Sequence, residues 1–426
     1  MTARLRKRVV FFTITFHPEP GALRGLPLAK ALRDTFGWDV EVVTAVPWYP
    51  LGRAYPGYRI APYQQETLDG ITVHRFWLMP SHDRSALRRI VTYVSFMLST
   101  LAIAPWKVRR APVIFHADNL PTTGIAVAAL RMLWRVRTVQ HIGDLWPDSV
   151  TGSGMLGRGT LARVAESILH AVIGLVYRTD EHITVITEGF RQTLLSRGVQ
   201  AEKVSVLPNW TDEERLAPVP GDAATRRRLG LDDRFMVVYA GNFGPLQGLH
   251  VVIEAATLLR EDMTVQFVLI GDGPERPVLE RALADSGLKN VFLLAPRPVE
   301  EMPALNAMAD ALLVHLRDDP FLVDTVPSKT QVAMYAGRPV IIGSAGEAAR
   351  IVAAARCGFC FRPGRGDELA DAVRRMAALP VEDRERMGAN GQAFYHANLS
   401  LRFGAERMDA LLTDVMRKGE RSGVEQ

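Results

Sequence analysis

Three stretches in the second half of the chain combine glycines with groups suited to a phosphate. The first is Tyr239-Ala240-Gly241-Asn242-Phe243-Gly244-Pro245-Leu246-Gln247-Gly248-Leu249, lying between an apolar run and a helical pattern. Glycines there let backbone N–H groups approach an anion, and a helix start favours negative charge. The stretch lacks the Gly-x-Gly-x-x-Gly spacing of dinucleotide sites and the Gly-Lys-Ser/Thr of a P-loop. Taken alone, it reads equally as a tight turn. The second, Ile270-Gly271-Asp272-Gly273-Pro274-Glu275, also ends an apolar run and opens a helix, with Pro274 suited to a first turn; a capped turn and a ligand contact are both open. The third, Asp324-Thr325-Val326-Pro327-Ser328-Lys329, is stronger. Pro327 suits the first helical position and Gly337 the C-terminal cap. Lys329 then sets a cation in the first turn, against the helix dipole. A phosphate bound there would remove that misfit, and Ser328 adds a hydroxyl and an N–H.

The first half offers acid/base chemistry instead. Phe16-His17-Pro18-Glu19-Pro20-Gly21-Ala22 and His141-Ile142-Gly143-Asp144-Leu145-Trp146-Pro147-Asp148-Ser149 each follow an apolar strand pattern. His17, Glu19, His141 and Asp144 are therefore candidates for acid/base or hydroxyl-holding roles. His17 and Asp144 lead. Asp148 or Ser149 reads alternatively as a helix cap, and His141 as a core histidine. Cys357 and Cys360 have redox or metal-pair spacing, but no second pair or nearby histidine completes a zinc set, so two reduced thiols beside a strand are expected.

These residues need a scaffold. Short apolar runs alternate with longer helical patterns: strands at 9–14, 40–44, 73–76, 113–117, 138–141, 182–186 and 204–207, with helices at 26–35, 87–101, 123–134, 160–177 and 189–197. The alternation restarts after a charged stretch, with strands at 235–239, 266–270, 291–294, 311–314, 340–342 and 358–361. Such patterns predict parallel sheets covered on both faces. The 426 residues exceed what one core supports. The expectation is an α/β chain of two doubly wound domains, 1–212 and 234–396, joined by a linker at 213–233 and facing across a cleft. Residues 397–426 form a terminal helix that packs back on the first domain. Ligands of such sheets bind beyond the carboxyl ends of the strands.

The net charge of +5 is uneven. Residues 1–210 hold 25 Lys+Arg against 15 Asp+Glu, a balance of +10, and residues 211–426 hold 26 against 31, a balance of −5. A basic half suits an anionic membrane surface or a phosphate-bearing acceptor, and no nucleic-acid motif accompanies it. No signal peptide is expected from residues 1–14. Ile90–Trp106, flanked by Arg88, Arg89, Lys107, Arg109 and Arg110, reads either as a buried helix or as one lying at a lipid surface.

Taken in order, these stretches resemble the retaining GT-B glycosyltransferases of family four, in the bacterial branch that builds O-antigen, capsule and exopolysaccharide. The resemblance rests on His17-Pro18-Glu19-Pro20-Gly21, Pro47-Trp48-Tyr49-Pro50, Asp144-Leu145-Trp146-Pro147-Asp148-Ser149, Tyr239-Ala240-Gly241-Asn242, Gly271-Asp272-Gly273-Pro274-Glu275 and Val326-Pro327-Ser328-Lys329. It implies an enzyme moving a sugar from a nucleotide sugar, commonly a UDP-sugar, to a lipid-linked or saccharide acceptor with retention; the rarity of cysteine fits a cytoplasmic place, and the basic first half a peripheral one on the inner membrane face. No metal and no cofactor are implied. The donor-binding residues would be Gly241, Asn242, Gly244, Gln247, Asp272, Asp324, Ser328 and Lys329. Gly21 and His141 would lie on the acceptor side, with Asp144, His17 and Glu19 as catalytic candidates. Relatives often place Arg and Lys where this chain has Asn242 and Gln247, which leaves Lys329 as the replacement cation. They also often carry two glutamates where this chain has Asp324 and Val332, so the ribose is held differently. A sugar-nucleotide epimerase on the same fold and a non-catalytic binding protein are the rival readings.

Overall fold

In the computed structural model, the residues described are 7–20, 25–82, 85–118, 120–146, 160–221, 223–231, 233–262 and 264–424. The chain divides into two compact units, Met1–Pro208 with Gly404–Gln426, and Asn209–Phe403.

The first unit is built on β1 (Arg8–Phe12), β2 (Asp39–Ala45), β3 (Tyr63–Leu68), β4 (Ile71–Phe76), β5 (Val113–His116), β6 (Arg137–Ile142), β7 (His182–Val185) and β8 (Val204–Val206). They form one sheet in the order β3-β4-β2-β1-β5-β6-β7-β8. Valine, isoleucine and phenylalanine fill the central strands, which are buried on both faces as parallel strands under helices must be. Only β3 runs antiparallel, against β4. Its sequence, YQQETL, is too polar to read as a buried strand, and the reading above omits it. Asp69 and Gly70, at φ 48° and 79°, make the tight hairpin turn that an Asp-Gly pair favours. The sheet's order reverses between β1 and β5, the place where loops diverge to opposite faces and leave room for a ligand.

The second unit holds β9 (Phe235–Ala240), β10 (Val265–Ile270), β11 (Val291–Leu294), β12 (Ala311–His315), β13 (Val340–Gly343) and β14 (Gly358–Phe361). All are parallel, in the order β11-β10-β9-β12-β13-β14, so the reversal lies between β9 and β12.

The stretch expected as a linker, 213–233, belongs to the second unit, and several of its described side chains find partners there. Glu213 accepts hydrogen bonds from the Tyr395 hydroxyl (2.8 Å) and the Leu401 N–H (2.7 Å). Arg226 pairs with Asp310 at 2.8 Å, and Leu231 is buried in the core. The terminal helix is Leu401–Val424. In the first unit, its Asp409 accepts from Lys7 Nζ and Trp38 Nε1, each at 2.7 Å. Cys357 is buried and Cys360 exposed, both as free thiols, and burial pushes the Cys357 thiol up to about 12.

Candidate functional site

At the β9/β12 reversal, three loops converge. The loop after β9 is fastened to the loop after β10 by backbone bonds alone. The Gly241 N–H donates to the Ile270 carbonyl (2.9 Å), Phe243 N–H to Asp272 O (2.8 Å) and Glu275 N–H to Phe243 O (2.9 Å). The approach is close enough to require glycine at Gly271: a Cβ there would sit 1.9 Å from the Gly241 oxygen. Gln247 turns inward, its Oε1 accepting from the Gly244 N–H at 3.1 Å. Of the four amides from Gly241 to Gly244, Asn242 alone has no partner among the described residues.

Lys329 reaches this loop from the helix Ser328–Tyr335. A Cβ on Gly241, whose φ is +139°, would lie 2.6 Å from Lys329 Cε and 2.8 Å from Nζ. The ammonium also lies 5.0 Å from the centre of the Tyr239 ring. Lys329 is half-buried, and among the described residues it has no ion pair, so burial holds its ammonium below the usual lysine range. The helix start beside it has no side-chain cap and no acidic residue in its first turn. Pro327 is its N-cap rather than its first helical residue. A half-buried cation and uncapped N–H groups together make a site that gains from an anion.

The other donor-side residues differ in exposure. Ser328, Asn242 and Asp272 are exposed, and Asp272 Oδ1 accepts from the adjacent Gly273 N–H at 2.8 Å. Asp324 is half-buried with no ion pair among the described residues. Behind the loop, His315 ends β12. Its Nε2 accepts from the Gly364 N–H (3.1 Å), which leaves the proton on Nδ1 to be donated to the Gln247 carbonyl (2.7 Å). The ring stacks on Phe361 at 5.6 Å, and burial lowers its pKa to about 4. A neutral imidazole thus fixes the Gln247–Gly248 turn.

At the β1/β5 reversal of the first unit, the fastening is done by side chains. Glu19 is 4 % exposed; its Oε2 accepts from the Phe16 N–H (2.9 Å) and its Oε1 from Trp48 N–H (2.9 Å) and Tyr49 N–H (2.7 Å). Burial outweighs these bonds and raises its carboxyl above the ordinary value. Arg75, 1 % exposed, donates to the carbonyls of His17 (2.6 Å) and Ala45 (3.2 Å) and to the Glu66 carboxylate. Asp118, past the end of β5, accepts from the Thr13 hydroxyl (3.2 Å) and the Ile14 N–H, and burial pushes its carboxyl up to about 6.

Comparison with known proteins fits both units. Residues 24–210 match the glycosyl transferase 4-like domain model, and residues 222–394 match glycosyl transferases group 1. The putative colanic acid biosynthesis glycosyl transferase WcaI of Escherichia coli K12 is 30 % identical over 81 % of this chain and 85 % of its own. The chain belongs to the family-four glycosyltransferases. Alpha-D-kanosaminyltransferase of Streptomyces kanamyceticus is 29 % identical over 45 % of the chain and 49 % of its own length. Among solved structures, Anabaena Alr3699/HepE in complex with UDP and glucose has a TM-score of 0.68 at 19 % identity, covering 96 % of this chain and 100 % of that one. WaaG, a glycosyltransferase involved in lipopolysaccharide biosynthesis, has a TM-score of 0.64 at 16 % identity, covering 95 % and 99 %. The fold is GT-B, two Rossmann-like sheets under helices.

Placed on this glycosyltransferase, the expected residues separate. Gly241 and Lys329 come together, as do Gly244 and Gln247, but the last two bond to each other. His17 and Asp144 are exposed beyond the ends of β1 and β6. Glu19 is corrected from an acid/base candidate to a loop clasp, because three backbone N–H groups occupy its oxygens. His141 is corrected from an acceptor-side contact to a core residue: it is fully buried, with Nδ1 2.8 Å from Thr184 Oγ1. Gly21, Asp148 and Ser149 lie outside the described residues. Asp118 and His315 were missed. Their signal was position, since His315 ends and Asp118 follows a strand at the reversal of its sheet, and a lone Asp or His in an apolar run does not advertise that.

Proposed function

We propose that this glycosyltransferase moves a sugar from a UDP-sugar to a lipid-linked or saccharide acceptor in cell-surface polysaccharide synthesis, with retention. The carrying observation is Lys329, a half-buried cation without a carboxylate partner among the described residues, packed against Gly241 at the β9/β12 reversal. The donor diphosphate meets Lys329, the Ser328 hydroxyl and N–H, and the Asn242 N–H. Asp324 accepts hydrogen bonds from sugar hydroxyls. The bond from C1 to the diphosphate breaks, the acceptor oxygen bonds to C1 on the same face, and the acceptor hydroxyl's proton passes to the departing diphosphate. Charge building on the departing diphosphate is taken by fixed protein donors, the largest stabilising effect available without a metal. His17 and Asp144 are the exposed groups we assign to the acceptor hydroxyl.

Further support comes from relatives. WcaI is named for colanic acid biosynthesis and HepE was solved with UDP and glucose. We place the enzyme in the cytoplasm, peripheral on the inner membrane face, which suits its basic first half. Among the described residues, one helix, Leu87–Lys107, is long and apolar enough to cross a membrane by length and composition, with 28 % of its most apolar window buried.

The test is UDP release from UDP-sugars with a lipid-linked acceptor, with product anomers read by NMR. The reading expects retained configuration, activity that persists in EDTA, and loss of turnover in Lys329→Ala. Wild-type turnover in that variant removes Lys329 from the mechanism. An isomerised nucleotide sugar formed without acceptor would establish an epimerase instead.

A further inference from the structure

The helix Ala86–Lys107 buries Phe96 and Ala104 in the core and turns its hydroxyl side chains inward beside them, while several of its other apolar side chains are exposed. Thr92 Oγ1 donates to the Met79 carbonyl (2.7 Å), the Met79 N–H donates to Ser95 Oγ (2.9 Å), and Ser99 Oγ donates to the Trp77 carbonyl (2.5 Å). Thr92 and Thr100 are fully buried, whereas Leu87, Ile90, Val91 and Leu98 are exposed and Trp106 is 85 % exposed. These hydroxyls are the groups that pin the helix to the segment after β4. Residues 86–110 carry Arg88, Arg89, Lys107, Arg109 and Arg110, and no Asp or Glu. Arg109 is taken up by Glu41 (3.5 Å) and Asp39 (3.8 Å), so the basic character of the face lies at its amino end, with Arg88 and Arg89; exposed apolar side chains beside such a basic end suit an anionic, apolar partner.

At its amino end the helix closes one side of a cavity of about 560 Å³, within the ~300–1,000 Å³ typical of small-molecule sites. Leu51, Met79, His82, Leu87, Arg88 and Val91 line it, and among the described residues no carboxylate does. Gly52, at φ +66°, lets the two walls meet: a Cβ there would sit 3.0 Å from the His82 nitrogen. The Leu51 wall continues directly from Trp48 and Tyr49, whose N–H groups Glu19 holds. The groove therefore runs beside the loop that carries His17.

We infer that this groove binds the hydrocarbon chain of a lipid ending in phosphate or diphosphate, the lipid part of the acceptor. The apolar walls take the chain, and the basic start of the helix takes the head group. The inference rests on the transferase reading with a lipid-linked acceptor. It is tested by calorimetric titration of the full chain with farnesyl diphosphate, with saturating UDP present to fill the donor site. Farnesyl diphosphate is expected to bind at least ~10-fold more tightly than inorganic diphosphate, as burial of its apolar chain requires. Leu87→Glu and Val91→Glu are each expected to lower that affinity at least ~10-fold while UDP affinity stays unchanged; both side chains are exposed, so the fold keeps its core. Equal binding of the two diphosphates, or unchanged affinity in both variants, would overturn the inference. So would a wild type that binds phosphatidylglycerol vesicles but not farnesyl diphosphate, which would make the face a bilayer contact only. Absence of UDP binding in the wild type would sink the transferase reading, and the lipid titration alone would still report on the groove.

Discussion

The two sheets reverse their strand order at equivalent points, yet they hold their loops there by opposite means. At β9/β12 the glycine loops are joined backbone to backbone, and Lys329, packed against Gly241, has no ion-pair partner among the described residues. At β1/β5 the loops hang on charged side chains, Glu19 and Arg75 buried and Asp118 half-buried, each taken up by N–H, hydroxyl, carbonyl or carboxylate groups of the fold itself. The difference separates function from support. A buried charge whose hydrogen bonds are already made stabilises architecture, while one left uncompensated is a place for a ligand. Being charged and near a strand end is not enough to mark a catalytic residue.

That contrast can be broken first at Lys329. Lys329→Ala should lower kcat/KM by ~10²–10³, the scale of removing one donor to developing charge. Because burial disfavours its charged form, Lys329→Met should also melt no lower than wild type, and a clear drop in Tm would make the lysine structural. The next effect belongs to the first unit. Glu19→Ala strands three N–H donors, each worth ~1–3 kcal/mol when buried unsatisfied, so the denaturation midpoint should fall sharply. Its UDP affinity should not change; if it fell equally, the two regions would not be separable.

The regions should also respond oppositely to acid. His315 has its pKa lowered to about 4, so the stability it contributes is present above the unfolded value near 6.5 and is lost as pH falls through 4. Asp118 is raised to about 6, so its contribution is greatest below the unfolded value near 3.8 and is lost as pH rises through 6. Each swing is at most ~3 kcal/mol. Urea unfolding at pH 4 to 7 should show the acid-side loss vanish in His315→Phe and the neutral-side loss vanish in Asp118→Asn. The smallest effect is expected at Ser328, where removing one exposed hydroxyl from the donor site should weaken UDP binding ~3–10-fold, in line with a net hydrogen bond of ~1 kcal/mol.

Legibility followed the range of the interactions. Strand and helix alternation is local, and nearly all the central strands were readable from apolar runs. The polar edge strand β3 was not, because its pairing with β4 supplies what its composition lacks. Lys329 was legible as a misfit with its own helix dipole. Glu19 looked the same as any loop carboxylate, because its partners Trp48 and Tyr49 lie some 30 positions away. Gln247 was read as facing the donor, but its amide closes the turn that contains it.

The most direct test is a calorimetric titration of UDP into wild type and Lys329→Met at neutral pH, with EDTA present. Loss of the Lys329 ammonium should raise Kd at least ~100-fold, about 2.7 kcal/mol. Equal affinities within about twofold, where 1.4 kcal/mol would already be tenfold, would contradict the assignment of Lys329 as the diphosphate's cation.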